Sequence, residues 1–578
     1  MRILFDIESD GLLDTVSKCH IIACLDVDTK ELTTFIKEDC YKALELLDKA
    51  DELIGHNIVD YDMPALKLLF NWQPRPEVKI TDTLVLAKLA HQDVRNEDFR
   101  EKFPKLSAAQ YGSHSLKAWG QRLGENKLEY DGSWEEYNQE MFDYCVQDVK
   151  SNAALHRYLT RSPLSEVAVD IETKAAACAR RMEDYGFAFD ERAAGALYAE
   201  LSAKREEIFK NLTSIFPTRT IERVSEKTGK PLKPQIIEFN PGSRDHIAYW
   251  FKQKYNWKPK DFTAGGKPEI NEEILEAMEY PEAAQLKEYF MLDKRIGMLA
   301  EGGNAWLKLV KKDGRLHGRI NTNGAGTGRC THSNPNMAQV PSVRKEYGKE
   351  CRSLFTVPSG YKLVGTDLSG IELRCLAHYL AAYDGGEYGD EIIKGDIHTR
   401  NQVAAGLPTR DAAKTFIYAL LYGAGSVKMG TIVGGGKKEG DAIKKKFLTA
   451  LPAFQTLSTK VAKAAERGYM VALDGRHLPV RSPHGAINSL LQGAAAIIAK
   501  KWMILTEENC IKAGLRNGKD FWLCTFVHDE LQISALEKHA ELVSKICAQS
   551  ATQAGEELGM KCRVDAESKI GNNWYETH

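Results

Sequence analysis

Two groups of carboxylates in this sequence stand at spacings that suit a divalent cation. In Ile3-Leu4-Phe5-Asp6-Ile7-Glu8 two acids sit two residues apart in an apolar run. A strand sends residues i and i+2 to one face, so Asp6 and Glu8 converge. Neighbouring carboxylates raise one another's pKa unless a cation lies between them. Asp62, in His56-Asn57-Ile58-Val59-Asp60-Tyr61-Asp62, and Asp148, in Tyr144-Cys145-Val146-Gln147-Asp148, suit the same site. Tyr144 and Asp148 fall one turn apart on a helix and share a face. The plain alternative is a pair of solvated acids on an edge strand, which the apolar neighbours of Asp6 and Glu8 disfavour.

The second group begins at Val364-Gly365-Thr366-Asp367-Leu368-Ser369-Gly370-Ile371-Glu372. The apolar lead-in, Tyr361 to Val364, reads as a short buried strand that delivers Asp367 where the chain turns toward a helix. An aspartate there can cap the helix or hold a hard cation beside a phosphate. Val527-His528-Asp529-Glu530 lies between two apolar runs, Phe521 to Phe526 and Leu531 to Ser534, and reads as a β-hairpin with acids at its tip. Arg410, Lys414, Tyr418 and Tyr422 recur every four residues, which keeps them on one drifting helix face. Cations on such a face suit a triphosphate, and aromatics suit the base.

These residues need several domains to position them, and 578 residues suffice. Hydrophobic residues make up 43% and charged residues 27%, ordinary for a globular chain. Lys+Arg of 78 against Asp+Glu of 80 gives a net charge of −2, so a nucleic-acid binder of this composition must segregate its charges. The 12 cysteines form no Cys-x-x-Cys pair and read as free thiols. No apolar run is long enough to span a membrane, and the N-terminus opens into a strand rather than a signal peptide. The expected compartment is the cytoplasm. Helices are expected from about Glu140 to Leu159, from Glu166 to Tyr185 and from Asp190 to Phe216. Leu159 to Leu164 reads as a linker, Asn321 to Arg329 as a glycine-rich strand and turn, and Pro217 to Ile237 as a basic loop. Gly434-Gly435-Gly436 lacks the Gly-Lys-Ser/Thr ending of a P-loop, and Lys444 to Lys446 reads as a solvated face.

Asp367-Leu368-Ser369-Gly370-Ile371-Glu372-Leu373-Arg374 resembles the first palm motif of family A DNA polymerases. The run Arg410, Lys414, Tyr418, Tyr422-Gly423 resembles their fingers helix, and Val527-His528-Asp529-Glu530 their second palm motif. The order is right, and the likeness covers nearly the whole chain. Ser369-Gly370 and the Gly-Asp-Ile-His run ending at His398 are most similar to the replicative polymerases of T-odd-like podovirus bacteriophages. Asp6, Glu8, Asp62, Tyr144 and Asp148 resemble the motifs of DnaQ-like 3′→5′ exonucleases.

The resemblance implies an α/β and α+β multidomain chain: an RNase H-like exonuclease domain over 1–160 and a right-hand polymerase. Its thumb would span 161–300, its palm 301–380 and 481–578, and its fingers 381–480. It implies two Mg²⁺ per active site, replaceable by Mn²⁺. Asp367, Asp529 and the Leu368 carbonyl would hold one pair, and Asp6, Glu8, Asp62 and Asp148 the other, with Tyr144 orienting the attacking water. His398, Arg410 and Lys414 would hold the triphosphate, with Lys414 as the acid for pyrophosphate. Tyr418 and Tyr422 would lie near the incoming sugar and base, and Glu372 would pack with Tyr418 where a ribose 2′-hydroxyl would sit. Arg329 and Gln492 would line the minor groove, and His528 would meet the primer end. Partners would be primer–template DNA and dNTPs, with a phage helicase–primase and single-stranded-DNA-binding protein. A thioredoxin clamp is not expected, because the thumb segment Pro217 to Ile237 is short. A single-subunit RNA polymerase and a non-catalytic DNA-binding protein are the rival readings. Glu372 and the appended nuclease motifs argue against the first, and the intact acids against the second.

Overall fold

The computed structural model describes the chain except for Lys102, Pro104, Lys105, Asn126, Glu226 and Arg481. Of the stretches read above, Glu226, within Pro217 to Ile237, and Arg481, at the start of 481–578, thus lie outside the described residues. Two sheets anchor the molecule. The N-terminal one has five strands in the order Leu32–Ile36, Cys19–Asp26, Arg2–Ser9, Glu52–Gly55, Lys79–Asp82. Its first three strands are antiparallel, and the last two join in parallel. The helix Gln139–Leu159 covers one face, burying Cys145, Val149 and Ala153 against Leu4, Ile21 and Ile54.

The C-terminal sheet has four antiparallel strands in the order Phe521–Val527, Glu530–Leu536, Tyr361–Leu368, Ala566–Gly571. Its central strand runs past the expected Val364 and carries Asp367 inside the ladder. The helix Ala540–Glu557 packs on it, and the helix Ala486–Lys512 packs on that helix in the same core, apolar nearly all round as a buried helix must be. The expected helix Glu166–Tyr185 forms with those bounds. Although read with the thumb, it buries Ile171, Ala175, Cys178 and Met182 in the same core as that sheet.

The helix Glu191–Ile215 pairs with Pro281–Ile296; at one end the pair shares a core with Leu363, Trp522 and Trp574, and at the other with Phe239 and Phe251. The expected loop Pro217 to Ile237 is instead a two-stranded hairpin, Arg219–Val224 with Pro231–Ile237. Gly229 makes its turn at φ +64°. Prolines and interleaved charges hide the period-two alternation there, and the hairpin stands exposed with little apolar face to signal it. The helix Arg410–Leu421 forms as expected, and Lys444 to Lys446 lie on the exposed face of Lys437–Ala450. The cysteines are all free and buried. No helix among the described residues is long and apolar enough to cross a membrane.

Candidate active sites

On the N-terminal sheet, Asp6 and Glu8 do share a face. Their carboxylate oxygens and Cys145 Sγ lie within 4.8 Å of one another. Asp62 arrives from the start of the helix Asp62–Phe70, its Oδ1 accepting the Ile7 N–H at 3.2 Å. Asp148 reaches in from Gln139–Leu159 and pairs with Lys127. Burial lifts Asp6 well above the carboxylate range, with Glu8, Asp62 and Asp148 adding to the effect. Burial and then Asp148 push Glu8 up to about 8. Asp62 is raised by burial to about 7, and Asp148, where Lys127 opposes burial, to about 6. Four such acids ionise together only around a cation. Asp148 Oδ1 is buried, with no hydrogen-bond partner among the described residues. Oxygen donors of this kind fit a hard divalent ion. Tyr144 stands half-buried beside Asp148, with the rings of Tyr130 and Trp134 at 5.9 and 6.0 Å. Lys127 and Cys145 were not identified from the sequence.

On the C-terminal sheet, Asp367 lies opposite Glu530 in register. Burial first, then Glu530, pushes the Asp367 carboxyl up to about 7. Glu530 moves the other way: burial opposes its charge, but His578, Arg352 and Trp574 hold it below its usual range. Trp574 Nε1 and Gln532 Nε2 donate to Glu530 Oε1, the latter at 2.8 Å. The ligand atoms of Asp367, Glu530 and His578 lie within 4.8 Å of one another. The contacts of Trp574 and His578 with Glu530 link positions 44 and 48 residues apart through tertiary packing and were not legible in the sequence. Asp529 occupies the hairpin tip, where His528 takes φ +59° to close a two-residue turn. The Asp529 carbonyl accepts the Leu368 N–H at 2.9 Å, tying that tip to the strand of Asp367. Burial raises Asp529 to about 6. This acid cluster too fits a divalent ion.

Beside it, Glu372 accepts from Arg329 Nη2 at 2.7 Å and from the Tyr422 hydroxyl at 2.9 and 2.7 Å. The expected partner was Tyr418; the tyrosine one helical turn later makes the bond, and the two rings stack at 6.4 Å. Arg410 Nε bonds Asp396 Oδ2 at 2.7 Å, and Asp396 also caps the helix Ile397–Ala405 through the N–H groups of His398 and Thr399. That brings Arg410 and His398 together, with Lys414 exposed one turn along. Burial, then Arg410 and Lys414, depresses the His398 pKa. Gln492 is half-buried on the helix Ala486–Lys512.

Residues 213–576 match the family described as DNA polymerase family A. The chain belongs to this family. It is 37% identical to the DNA-directed DNA polymerase of Enterobacteria phage T3, over 99% of each chain, and equally to that of Escherichia phage T7, over all of each. The second alignment runs to 704 positions against 578 residues here, so that relative carries stretches this chain lacks. A more distant relative is DNA polymerase I of Pseudomonas aeruginosa, 26% identical over 86% of this chain and 52% of its own length. The fold is similar to that of the polymerase domain of Pol1 from M. smegmatis in complex with DNA primer-template and dNTP. The TM-score is 0.77, with 19% identity over 99% of this chain and 96% of that one. This family A polymerase thus carries two carboxylate clusters on two different sheets, both suited to the divalent ions the family uses.

Proposed function

We propose that this polymerase extends primer 3′ ends with dNTPs at the C-terminal cluster and trims them 3′→5′ at the N-terminal one, in replicating a phage genome in the host cytoplasm. The carrying observation is that each cluster holds buried acids of its own on a separate sheet. Asp367, Asp529 and the Leu368 carbonyl would hold two Mg²⁺, and Asp6, Glu8, Asp62 and Asp148 another two; Mn²⁺ would serve in either place. Such ions, when bound, lower the pKa of a hydroxyl or water and offset charge on the leaving oxygen.

The protein's own groups do the rest. His398, Arg410 and Lys414 clamp the triphosphate, as cationic groups do in phosphoryl transfer. Lys414 hands a proton to the departing pyrophosphate. The Arg329–Glu372–Tyr422 bonds close off the sugar side of the nucleotide, which favours deoxynucleotides. Arg329 and Gln492 meet minor-groove acceptors that every base pair shows, and His528 meets the primer end. At the trimming site Tyr144 orients the attacking water, and a single strand would be held by stacking and backbone charge. The thumb over 161–300, the palm over 301–380 and 481–578 and the fingers over 381–480 belong to this reading, as do a helicase–primase and a single-stranded-DNA-binding protein as partners.

The test is separation of the activities. Asp6→Ala with Glu8→Ala should abolish trimming and leave extension, and Asp529→Asn the reverse. Loss of both activities from either change, in folded protein, refutes the two-site reading. Primer extension offered NTPs alongside dNTPs decides the RNA polymerase alternative.

A further inference from the structure

The scheme above leaves Lys127 without a task. It lies between the helices Leu116–Leu123 and Gln139–Leu159, and its side chain is 18% exposed. Its Nζ forms an ion pair with Asp148 Oδ2, whose side chain is 4% exposed. The same ammonium stands 4.4 Å from the centre of the Tyr144 ring. Among the described residues, no other Lys or Arg forms an ion pair with Asp6, Glu8, Asp62 or Asp148. Lysine is seldom buried, because an ammonium taken out of water gives up hydration that even a good ion pair only just returns. Its placement against this cluster is therefore specific.

Building on the exonuclease reading, we propose that Lys127 is the cluster's resident counter-cation: it competes with the divalent ion for Asp148 and so sets how much metal the trimming site requires. Asp148 has two oxygens. Lys127 holds Oδ2, and Oδ1 is the buried oxygen with no partner among the described residues. An ion that takes only Oδ1 must tolerate an ammonium across the same carboxylate. An ion that takes both must displace it. Either way the bound ion works against one positive charge at close range. The flanking Tyr144 ring gives the displaced ammonium a face to rest on. Lys127 on this account is a positioning residue, acting through Asp148 and Tyr144.

Removing the charge should therefore tighten metal binding rather than weaken it. Lys127→Met is expected to lower the Mn²⁺ midpoint by on the order of tenfold or more, a lower bound on the coupling of two charges at close range near a protein surface. Lys127→Arg, which keeps the charge, should stay near the wild-type midpoint. The experiment uses the full chain carrying Asp529→Asn, which disables the C-terminal cluster. Mn²⁺ binding is followed by titration calorimetry, and the Mn²⁺ concentration for half-maximal trimming of a single-stranded 3′ end is measured in parallel. Both midpoints falling in Lys127→Met, with Lys127→Arg unchanged, supports the inference. An unchanged or raised midpoint in Lys127→Met overturns it. Primer extension by Lys127→Met in the otherwise unaltered chain reports an intact fold, and Lys127→Gln replaces it if that control fails. Trimming that survives Asp148→Ala would instead overturn the exonuclease reading itself, so the two failures are distinguishable.

Discussion

Glu172→Ala should destabilise the chain severely, although Glu172 touches neither cluster. Its side chain, like those of Arg476 and Lys500, is 1% exposed, and its Oε1 accepts from both cations. Arg476 also grips Asp474, with Nε at 3.0 and 2.8 Å from the two carboxylate oxygens. The four charges balance in a region closed to water. They tie the helix Glu166–Tyr185 to the turn between Tyr469–Val471 and His477–Pro479 and to the helix Ala486–Lys512. Among the described residues, truncating Glu172 strands the Lys500 ammonium and leaves Arg476 with Asp474 as its acceptor. Breaking a buried pair from one side costs about 3–5 kcal/mol. Replacing both ends with apolar side chains is often neutral, so Glu172→Met with Lys500→Met should recover most of that loss. Urea unfolding followed by tryptophan fluorescence measures both. A loss below about 1 kcal/mol for Glu172→Ala, the worth of an ordinary hydrogen bond, would refute the reasoning. So would a double variant worse than the single. The pH dependence follows with a definite sign. Burial works to raise the Glu172 carboxyl, but Lys500 and Arg476 outweigh it and hold the group below its usual range. A depressed folded-state pKa contributes stability that is fully present above the unfolded value, about 4.3 for glutamate, and is lost as pH falls through the folded one. The gap between wild type and Glu172→Ala should stay constant near neutrality and narrow only in acid.

Tyr418→Phe should sharpen rejection of dideoxynucleotides, since the phenol can stand in for a missing 3′-hydroxyl near the triphosphate. The ratio of kcat/KM for deoxy over dideoxy substrates should rise by on the order of tenfold or more, the worth of one charge-assisted hydrogen bond, and an unchanged ratio counts against it. In the exposed hairpin, Lys227, Lys230 and Lys233 offer charge to DNA phosphates. Neutralising all three to Gln should shorten products made in a single binding encounter and flatten their salt dependence, by a slope of up to about 0.9 for each phosphate that the lysines cease to neutralise. Excess reduced thioredoxin should leave those lengths unchanged; a large lengthening refutes the expectation that so short a segment carries no clamp.

Several acids of the two sites were legible because they obey a local rule, whereas Asp62 joined its set only through the family resemblance. Asp6 and Glu8 share a face by the period of a strand, Tyr144 and Asp148 by the turn of a helix, and Asp529 sits at the tip of two apolar runs that can only fold back. Their counter-charges obey no such rule. Lys127 lies in a stretch without periodicity, 21 residues from the Asp148 it neutralises. Arg352 reaches Glu530 across 178 positions and Lys500 reaches Glu172 across 328. Glu172 itself, in Asp170-Ile171-Glu172-Thr173-Lys174, has the local composition of a solvated helix face, yet it is fully buried. The same division explains Glu372. Its placement after the Asp367 turn is local, but whether Tyr418 or Tyr422 reaches it depends on how the helix Arg410–Leu421 docks, a rotation that the four-residue spacing leaves free. The expected hairpin at 527–530 and the unexpected one at 219–237 differ for the same reason. The first has two apolar strands that a sheet must absorb, whereas the second stands in solvent with few apolar neighbours to reveal it. A sequence thus shows where charge must be held, and only the packed chain shows what holds it. The substitutions that discriminate most sharply are therefore those at Lys127 and Glu172, where the tertiary partner alone assigns the side chain its role.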